Sequence, residues 1–359
     1  MNGTTWKIYT ETEEVLEDIV KTCESATKTI DLEQFIFVSD NFGNRIIDIC
    51  SKKAKEGVKV RFIWDAAGSF SFFGNDTIEN LKQKNIELLF FKTLLPDFLD
   101  VPNYRSWYFR NHRRTIVIDS KIAFTGSICI WEKTKDWRET NLMIQGPVVN
   151  DMQRDFEKMW NRSQRKKVRY LKRELPSDLE FKYISNNPLP RQRKLYTQLV
   201  EAIKNSKKSI YITTPYFVPT HKLTRALKSA SKRGAEIKIL IPERSDHTFV
   251  DLAARTYFHN LLKAGIRIFL YKNRMLHAKT IVIDNNWSTI GTLNIDHVSL
   301  LYNFEANIVS SNTIMTDQLK AHFNKDLENS EEMTLEKWNQ RYWLEKFAGI
   351  FIKLIRSLF

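Results

Sequence analysis

The sequence predicts an α/β fold made of two similar halves, each with a mostly parallel sheet. Two observations carry this. Helical and strand-like periodicities alternate along the chain, and the elements of the first half recur in the same order in the second. The amphipathic run from Glu14 to Ser25 leads into Thr29-Ile-Asp-Leu-Glu-Gln-Phe-Ile-Phe37, and Leu195 to Asn205 leads into Ser209-Ile-Tyr-Ile-Thr-Thr-Pro-Tyr-Phe217. At 359 residues the chain is long enough for two domains, each with its own core.

The next elements repeat as well. Ala54-Lys-Glu-Gly57 precedes the strand-like Val58 to Trp64, and Ser231-Lys-Arg-Gly234 precedes Ala235 to Ile241. Each glycine stands where a helix stops and a strand begins. Leu81 to Asn85 before Ile86 to Phe91 matches Leu262 to Gly265 before Ile266 to Tyr271. The offset between copies is 180 at Phe37/Phe217 and 165 at His112/His277. The difference lies in one place, where Lys92 to Asn111 is longer than Lys272 to Leu276. The expected layout is a first half over 1–161, a basic linker over 162–177, a second half over 178–330 and an amphipathic tail over 331–359.

Composition bounds the function classes. Hydrophobic residues are 42% and charged residues 27%, which is globular rather than disordered. Cys23, Cys50 and Cys129 form no even, closely spaced framework, which fits a reducing compartment and argues against a zinc ribbon or a redox dithiol. No cluster has zinc-site or EF-hand spacing, and no glycine-rich loop opens a helix in Walker fashion. Residues 1–12 do not read as a signal peptide, and no run approaches the roughly 20 apolar residues of a membrane span. The net charge of +14 suits a polyanionic partner, nucleic acid or anionic lipid, without choosing between them, or serves solubility alone.

The chemistry-bearing pattern also occurs twice. His277-Ala-Lys279 is followed by Asp284, then Gly291-Thr292-Leu293-Asn294, then Glu305; His112-Arg-Arg114 is followed by Asp119, then Gly126-Ser127-Ile128-Cys129, then Glu139. The runs Thr115 to Ile118 and Thr280 to Ile283 are β-branched strand formers. Residues two apart on a strand share a face, so each imidazole stands beside a fixed cation. That pairing suits a phosphate: the cation holds its oxygens while the imidazole attacks or donates a proton. Ser127 and Thr292 are expected to approach the same anion, and Glu139 and Glu305 each to fix one imidazole tautomer. His221, His247, His259, His297 and His322 have no repeated partner motif and read as structural or surface residues.

The paired His-x-Lys/Arg-x4-Asp motifs, each followed by Gly-Ser/Thr, resemble the phospholipase D superfamily. Tyr108 to Asp119, Asp136-Trp-Arg-Glu-Thr140, Gln153-x-x-Phe156-x-x-x-Trp160, Thr214-Pro-Tyr-Phe-Val-Pro219 and Asn303-Phe-Glu305 resemble its cardiolipin synthases in particular. The resemblance implies two phospholipase D-type halves about a pseudo-two-fold axis with one shared active site. It implies a phosphohistidine intermediate and neither metal nor other cofactor, with His112 as nucleophile and His277 as acid/base. Arg114, Lys279, Asp119, Asp284, Glu139 and Glu305 complete the implied catalytic set, and Ser127, Thr292 and Asn294 the substrate-binding set. The implied reaction joins two phosphatidylglycerol molecules and releases glycerol. The implied partner is an anionic phospholipid bilayer and not nucleic acid, and the implied location is peripheral, on the cytoplasmic face of a bacterial cell membrane. Arg114 stands where the family has Lys, and Cys129 where Asn is usual.

Three rivals share the motifs: a phospholipase D hydrolase with water as acceptor, a nuclease of the same superfamily, and an inactive scaffold. Two apolar segments have open readings. Leu94 to Tyr108 is either core packing or a lipid-facing lip, and Trp343 to Leu358 is either a docked helix or an in-plane anchor.

Overall fold

A computed structural model describes residues 3–72, 77–91, 109–164 and 176–340. The Leu94–Tyr108 segment, most of the basic linker and the Trp343–Leu358 stretch lie outside the described residues.

The first half contributes strands β1 (Thr5–Tyr9), β2 (Thr29–Gln34), β3 (Lys59–Asp65), β4 (Ile86–Phe91), β5 (Thr115–Ile118), β6 (Ile122–Gly126) and β7 (Asn141–Gln145). Its helices are α1 (Thr12–Glu24), α2 (Asn41–Lys55), α3 (Thr77–Gln83) and α4 (Val148–Ser163). The second half contributes β8 (Phe181–Asn186), β9 (Ser209–Thr213), β10 (Glu236–Pro242), β11 (Arg267–Tyr271), β12 (Thr280–Ile283), β13 (Trp287–Gly291), β14 (Glu305–Ser310) and β15 (Ser330–Met333). With them come α5 (Lys194–Asn205), α6 (His221–Lys232), α7 (Thr248–Leu262), α8 (His297–Leu301), α9 (Thr313–Glu328) and α10 (Leu335–Gln340).

The two sheets have one topology. The first runs β1-β7-β6-β5-β2-β3-β4, and the second, read from its matching edge, runs β8-β14-β13-β12-β9-β10-β11 and adds β15. The duplicated α/β fold is therefore as the sequence predicts. Its sheets, however, are mixed rather than mostly parallel. Only β2-β3-β4 and β9-β10-β11 pair in parallel; the other neighbours are antiparallel. Parallel neighbours need a long crossover, which α2, α3, α6 and α7 supply. The strands after the histidines instead fold back through tight turns. Between β5 and β6, Asp119 and Ser120 take φ of 52° and 54°, the twist that short hairpin turns favour.

Local signals account for the helix limits. The Asp40 carboxylate accepts the N–H groups of Phe42 and Gly43 to start α2, and the Thr220 hydroxyl caps α6. Gly57 and Gly234, at φ 91° and 95°, release the chain from these helices toward β3 and β10. The segment assigned to the tail begins differently from expectation. β15 pairs antiparallel with β11, and Trp338 is buried against Phe258, so residues 330–340 complete the second half.

Three large apolar clusters fix the arrangement. One lies within each half. The third is shared: Val117, Leu142 and Ile144 of the first sheet pack with Tyr211, Val282 and Ile308 of the second. This common core orients the ends of β5 and β12 toward one place.

Candidate active site

His112 and His277 precede β5 and β12, and each is pinned to the other half by backbone. The His112 N–H donates to Phe304 O at 3.0 Å, and Phe304 N–H donates to Arg110 O at 2.9 Å. In the mirror arrangement His277 N–H donates to Arg138 O, and Arg138 N–H to Met275 O, both at 2.8 Å. Buried ion pairs brace both crossings. Arg110 meets Asp65 at 2.6 Å, and Arg138 meets Asp326 at 2.8 Å.

The residue after each bridging strand end is a glutamate, so the carboxylates cross over. Glu305 of the second half takes Nδ1 of His112 at 2.9 and 3.0 Å, and Glu139 of the first takes Nδ1 of His277 at 2.8 Å. An ionised carboxylate only accepts hydrogen bonds. Nδ1 of each imidazole therefore carries the proton, and Nε2 keeps its lone pair. An aromatic edge fixes each ring from the side: Phe35 at 4.8 Å from His112 and Trp137 at 5.0 Å from His277.

The two cations converge on the same place. Arg114 Nη2 lies 3.2 Å from His112 Nε2, and Lys279 Nζ donates to His277 O at 2.8 Å. Burial and then Arg114 pull the Lys279 ammonium down to about 7. Burial also lowers both imidazoles, His277 to about 4, with Lys279 and Arg114 adding to the effect. Burial pushes the Glu139 carboxyl upward, but the hydrogen bond from His277 and the Lys279 charge outweigh it and hold it below its ordinary value. Near pH 7 the free site thus holds two neutral imidazoles beside buried positive charge. A phosphodiester anion is the group that would raise the affinity of both cations and imidazoles for protons.

Other predicted residues take different roles. Asp119 and Asp284 are not in the site. Each follows its histidine by seven positions along a strand rising ~3.3 Å per residue, which carries it to the far end. There Asp119 accepts the N–H groups of Thr27, Lys28 and Thr29, and Asp284 those of Lys207, Lys208 and Ser209. Burial pushes the Asp119 carboxyl up, but these donors hold it at about 2. The Ser127 and Thr292 hydroxyls are braces rather than anion contacts. Ser127 bonds both ways with the Thr140 backbone, while Thr292 donates to Glu305 Oε2 at 2.5 Å and accepts from Ala306 N–H. Asn294 is buried with its Oδ1 unpartnered among the described residues. Cys129 is buried with Sγ 3.6 Å from Arg114, and burial raises its thiol. The two departures from the family pattern are thus in contact: the larger Arg lies against the smaller Cys.

Ser299 escaped the sequence reading; its hydroxyl donates to Glu305 Oε1 at 2.6 Å. So did Asn141 and Asn307, which cap the turns at Ile128 N–H and Thr292 N–H. Their signal is the repeat itself, since each lies two residues after a site glutamate. They press on the turn glycines. A Cβ on Gly291 would meet Asn307 Oδ1 at 2.3 Å and Ala306 O at 2.4 Å. Gly291→Ala should therefore cost about 1–3 kcal/mol, read as a lower urea midpoint with unchanged slope.

A family model described as "Cardiolipin synthase, PLD-like domain" matches residues 19–160 and 199–327. The chain belongs to this cardiolipin synthase, phospholipase D-like family. It is 34% identical over 368 residues to a cardiolipin synthase of Clostridium perfringens, covering 98% of this chain and 76% of that protein. A cardiolipin synthase of Halalkalibacterium halodurans is 34% identical, with 99% and 72% covered. Among solved structures, phosphatidylserine synthase of Haemophilus influenzae aligns with TM-score 0.73 at 13% identity, over 99% of this chain and 95% of that one. Polyphosphate kinase of Porphyromonas gingivalis aligns at 0.63 and 12%, over 99% and 53%. At such identities these two share the fold.

Membership makes the chain a phospholipase D-type, phosphatidyl-transferring enzyme with phospholipid substrates, as its motifs predict. The expected location, peripheral on the cytoplasmic face of a bacterial cell membrane, is corrected. The chain spans 76% of the Clostridium cardiolipin synthase, so the matched region does not fix how such a protein meets a membrane. Among the described residues no helix is long and apolar enough to cross one, which assigns neither a side nor a compartment.

Proposed function

We propose that this cardiolipin synthase family member moves a phosphatidyl group from one phosphatidylglycerol to another through a phosphohistidine on His112. The observation that carries the reading is the crossed pairing. Each imidazole has Nδ1–H committed to a carboxylate of the opposite half, so each turns its Nε2 lone pair toward the site, where that of His112 meets Arg114 Nη2 until a phosphate takes the guanidinium. In the first step the His112 Nε2 lone pair forms a bond to phosphorus. The phosphorus–oxygen bond to the glycerol headgroup breaks, and His277, protonated in the complex, gives its proton to the leaving oxygen. In the second step the incoming hydroxyl returns a proton to His277 and attacks phosphorus, and the phosphorus–nitrogen bond breaks. Arg114, Lys279 and Asn294 would hold the phosphate oxygens, and the lipid partner is phosphatidylglycerol presented in a bilayer.

Mass spectrometry of products from phosphatidylglycerol vesicles tests this. Cardiolipin plus glycerol is the expected result. Phosphatidic acid alone would make the acceptor water, and no product from folded protein would favour a scaffold. Arg114, and Lys279 once the bound anion has restored its proton affinity, supply the positive charge that the phosphate needs, so turnover should persist in EDTA. Loss on chelation with rescue by one divalent ion, in vesicles shown to stay intact, would overturn that expectation.

A further inference from the structure

Behind Arg114, away from the His112 ring, lies a small cavity in the first half. Gln34, Arg114, Thr125 and Asn141 line it together with five apolar side chains, Ile19 and Phe124 among them. All four polar residues are at least nine-tenths buried. Six of their polar atoms have no hydrogen-bond partner among the described residues: both carboxamide atoms of Gln34, Nε and Nη1 of Arg114, Oγ1 of Thr125 and Nδ2 of Asn141. Such atoms are rarely left alone in a folded protein.

The second half closes the equivalent bonds internally. Asn307 Nδ2 donates to Thr289 Oγ1 at 3.0 Å, whereas the first half has Phe124 in place of Thr289. Lys279 is tied to His277 O, and the Thr214 hydroxyl is bonded to the backbone at Tyr216 and Ile295. The first half has the longer Arg114 and the amide Gln34 there instead. The cavity is about 10 Å³, the space of one water and too little for a phosphate or an organic molecule. A water both accepts and donates, which answers both the unpartnered N–H groups and the Gln34 and Thr125 oxygens that stand at this otherwise apolar wall.

We propose that this cavity holds one structural water joining the Gln34 carboxamide to the Arg114 guanidinium. Gln34 is then a positioning residue for the phosphoryl transfer. Among the described residues only Nη2 of Arg114 is held by protein atoms, His112 Nε2 and Cys129 Sγ. The water fixes the other side of the guanidinium and so keeps the fork aimed at the reacting phosphate. This rests on reading Arg114 as a phosphate contact and His112 as the nucleophile.

Two measurements test it. High-resolution diffraction from the wild-type crystal should show density within hydrogen-bond reach of both Gln34 and Arg114. Gln34→Met, near in shape but apolar, should lower kcat/KM about tenfold, mainly through KM. Because Arg114 lowers the His112 pKa, its displacement lets that pKa rise, so the acid limb of the kcat/KM profile moves to higher pH. Gln34→Asn keeps an amide and leaves room for a second water, so it should recover most of the loss. A wild-type map clear at this point while other internal waters are visible would overturn the proposal. So would a folded Gln34→Met with wild-type KM and pH limb. If Gln34→Met does not fold, the map and Gln34→Asn decide. Density present in a protein that makes no cardiolipin would instead fail the functional reading and leave the water in place.

Discussion

Replacing either His112 or His277 is expected to cut phosphatidyl transfer by about 10³-fold or more while the protein stays folded. Asparagine is the better substitute beside alanine, because its N–H can still serve the buried carboxylate of Glu305 or Glu139. The two variants should then separate on a soluble diester with a p-nitrophenyl leaving group. That phenolate needs no proton to depart, so His277→Asn should still form the adduct and release one phenolate per protein. His112→Asn should release none. The trapped adduct should be acid-labile and alkali-stable, as a phosphorus–nitrogen bond is. A folded variant of either residue that kept more than about a tenth of its activity on the lipid, a barrier change of ~1.4 kcal/mol, would sink the shared-site mechanism. A burst from His112→Asn and none from His277→Asn would reverse the two roles.

Much of this site is legible in the amino-acid sequence, because it occurs twice. A single His-x-Lys is weak, but His112/Arg114 and His277/Lys279 in register, each with a later glutamate, mark one chemistry on two supports. Sequence order cannot show that the glutamates exchange partners. That follows from the shared core around Val117 and Val282 and from the backbone bridges at Phe304 and Arg138. The same repetition misleads at Asp119 and Asp284. A carboxylate recurring seven residues after a histidine looks catalytic, but the strand between them carries it away to cap backbone N–H groups. The mixed pairing of the sheets is hidden for a related reason. β-branched runs such as Thr115 to Ile118 and Thr280 to Ile283 report strand, not direction, and the tight turns that reverse them contain no Asn-Gly or Asp-Gly signature. The Arg110–Asp65 and Arg138–Asp326 braces are invisible in sequence because 45 and 188 residues separate the partners.

The crossed carboxylates lead to the second large effect: a substitution in one half should be felt at the imidazole of the other. Glu305→Ala and Glu139→Ala remove the acceptor that holds Nδ1–H, which frees the wrong tautomer and should cost about 10²–10⁴-fold in kcat. Glu305→Gln and Glu139→Gln keep an acceptor and lose the charge, so their losses should be smaller and their pH profiles more informative. Each carboxylate raises the pKa of its imidazole, so each amide lowers it. His112 must be neutral to attack, so Glu305→Gln should move the acid limb to lower pH and widen the active range. His277 must be protonated to release the headgroup, so Glu139→Gln should move the basic limb to lower pH and narrow it. Profiles of kcat and kcat/KM for the two variants, with circular dichroism as the control for folding, provide the check. Limbs that moved in the opposite assignment would exchange the nucleophile and the acid. Limbs that did not move in either variant would mean that the paired carboxylates hold the fold and leave the chemistry untouched.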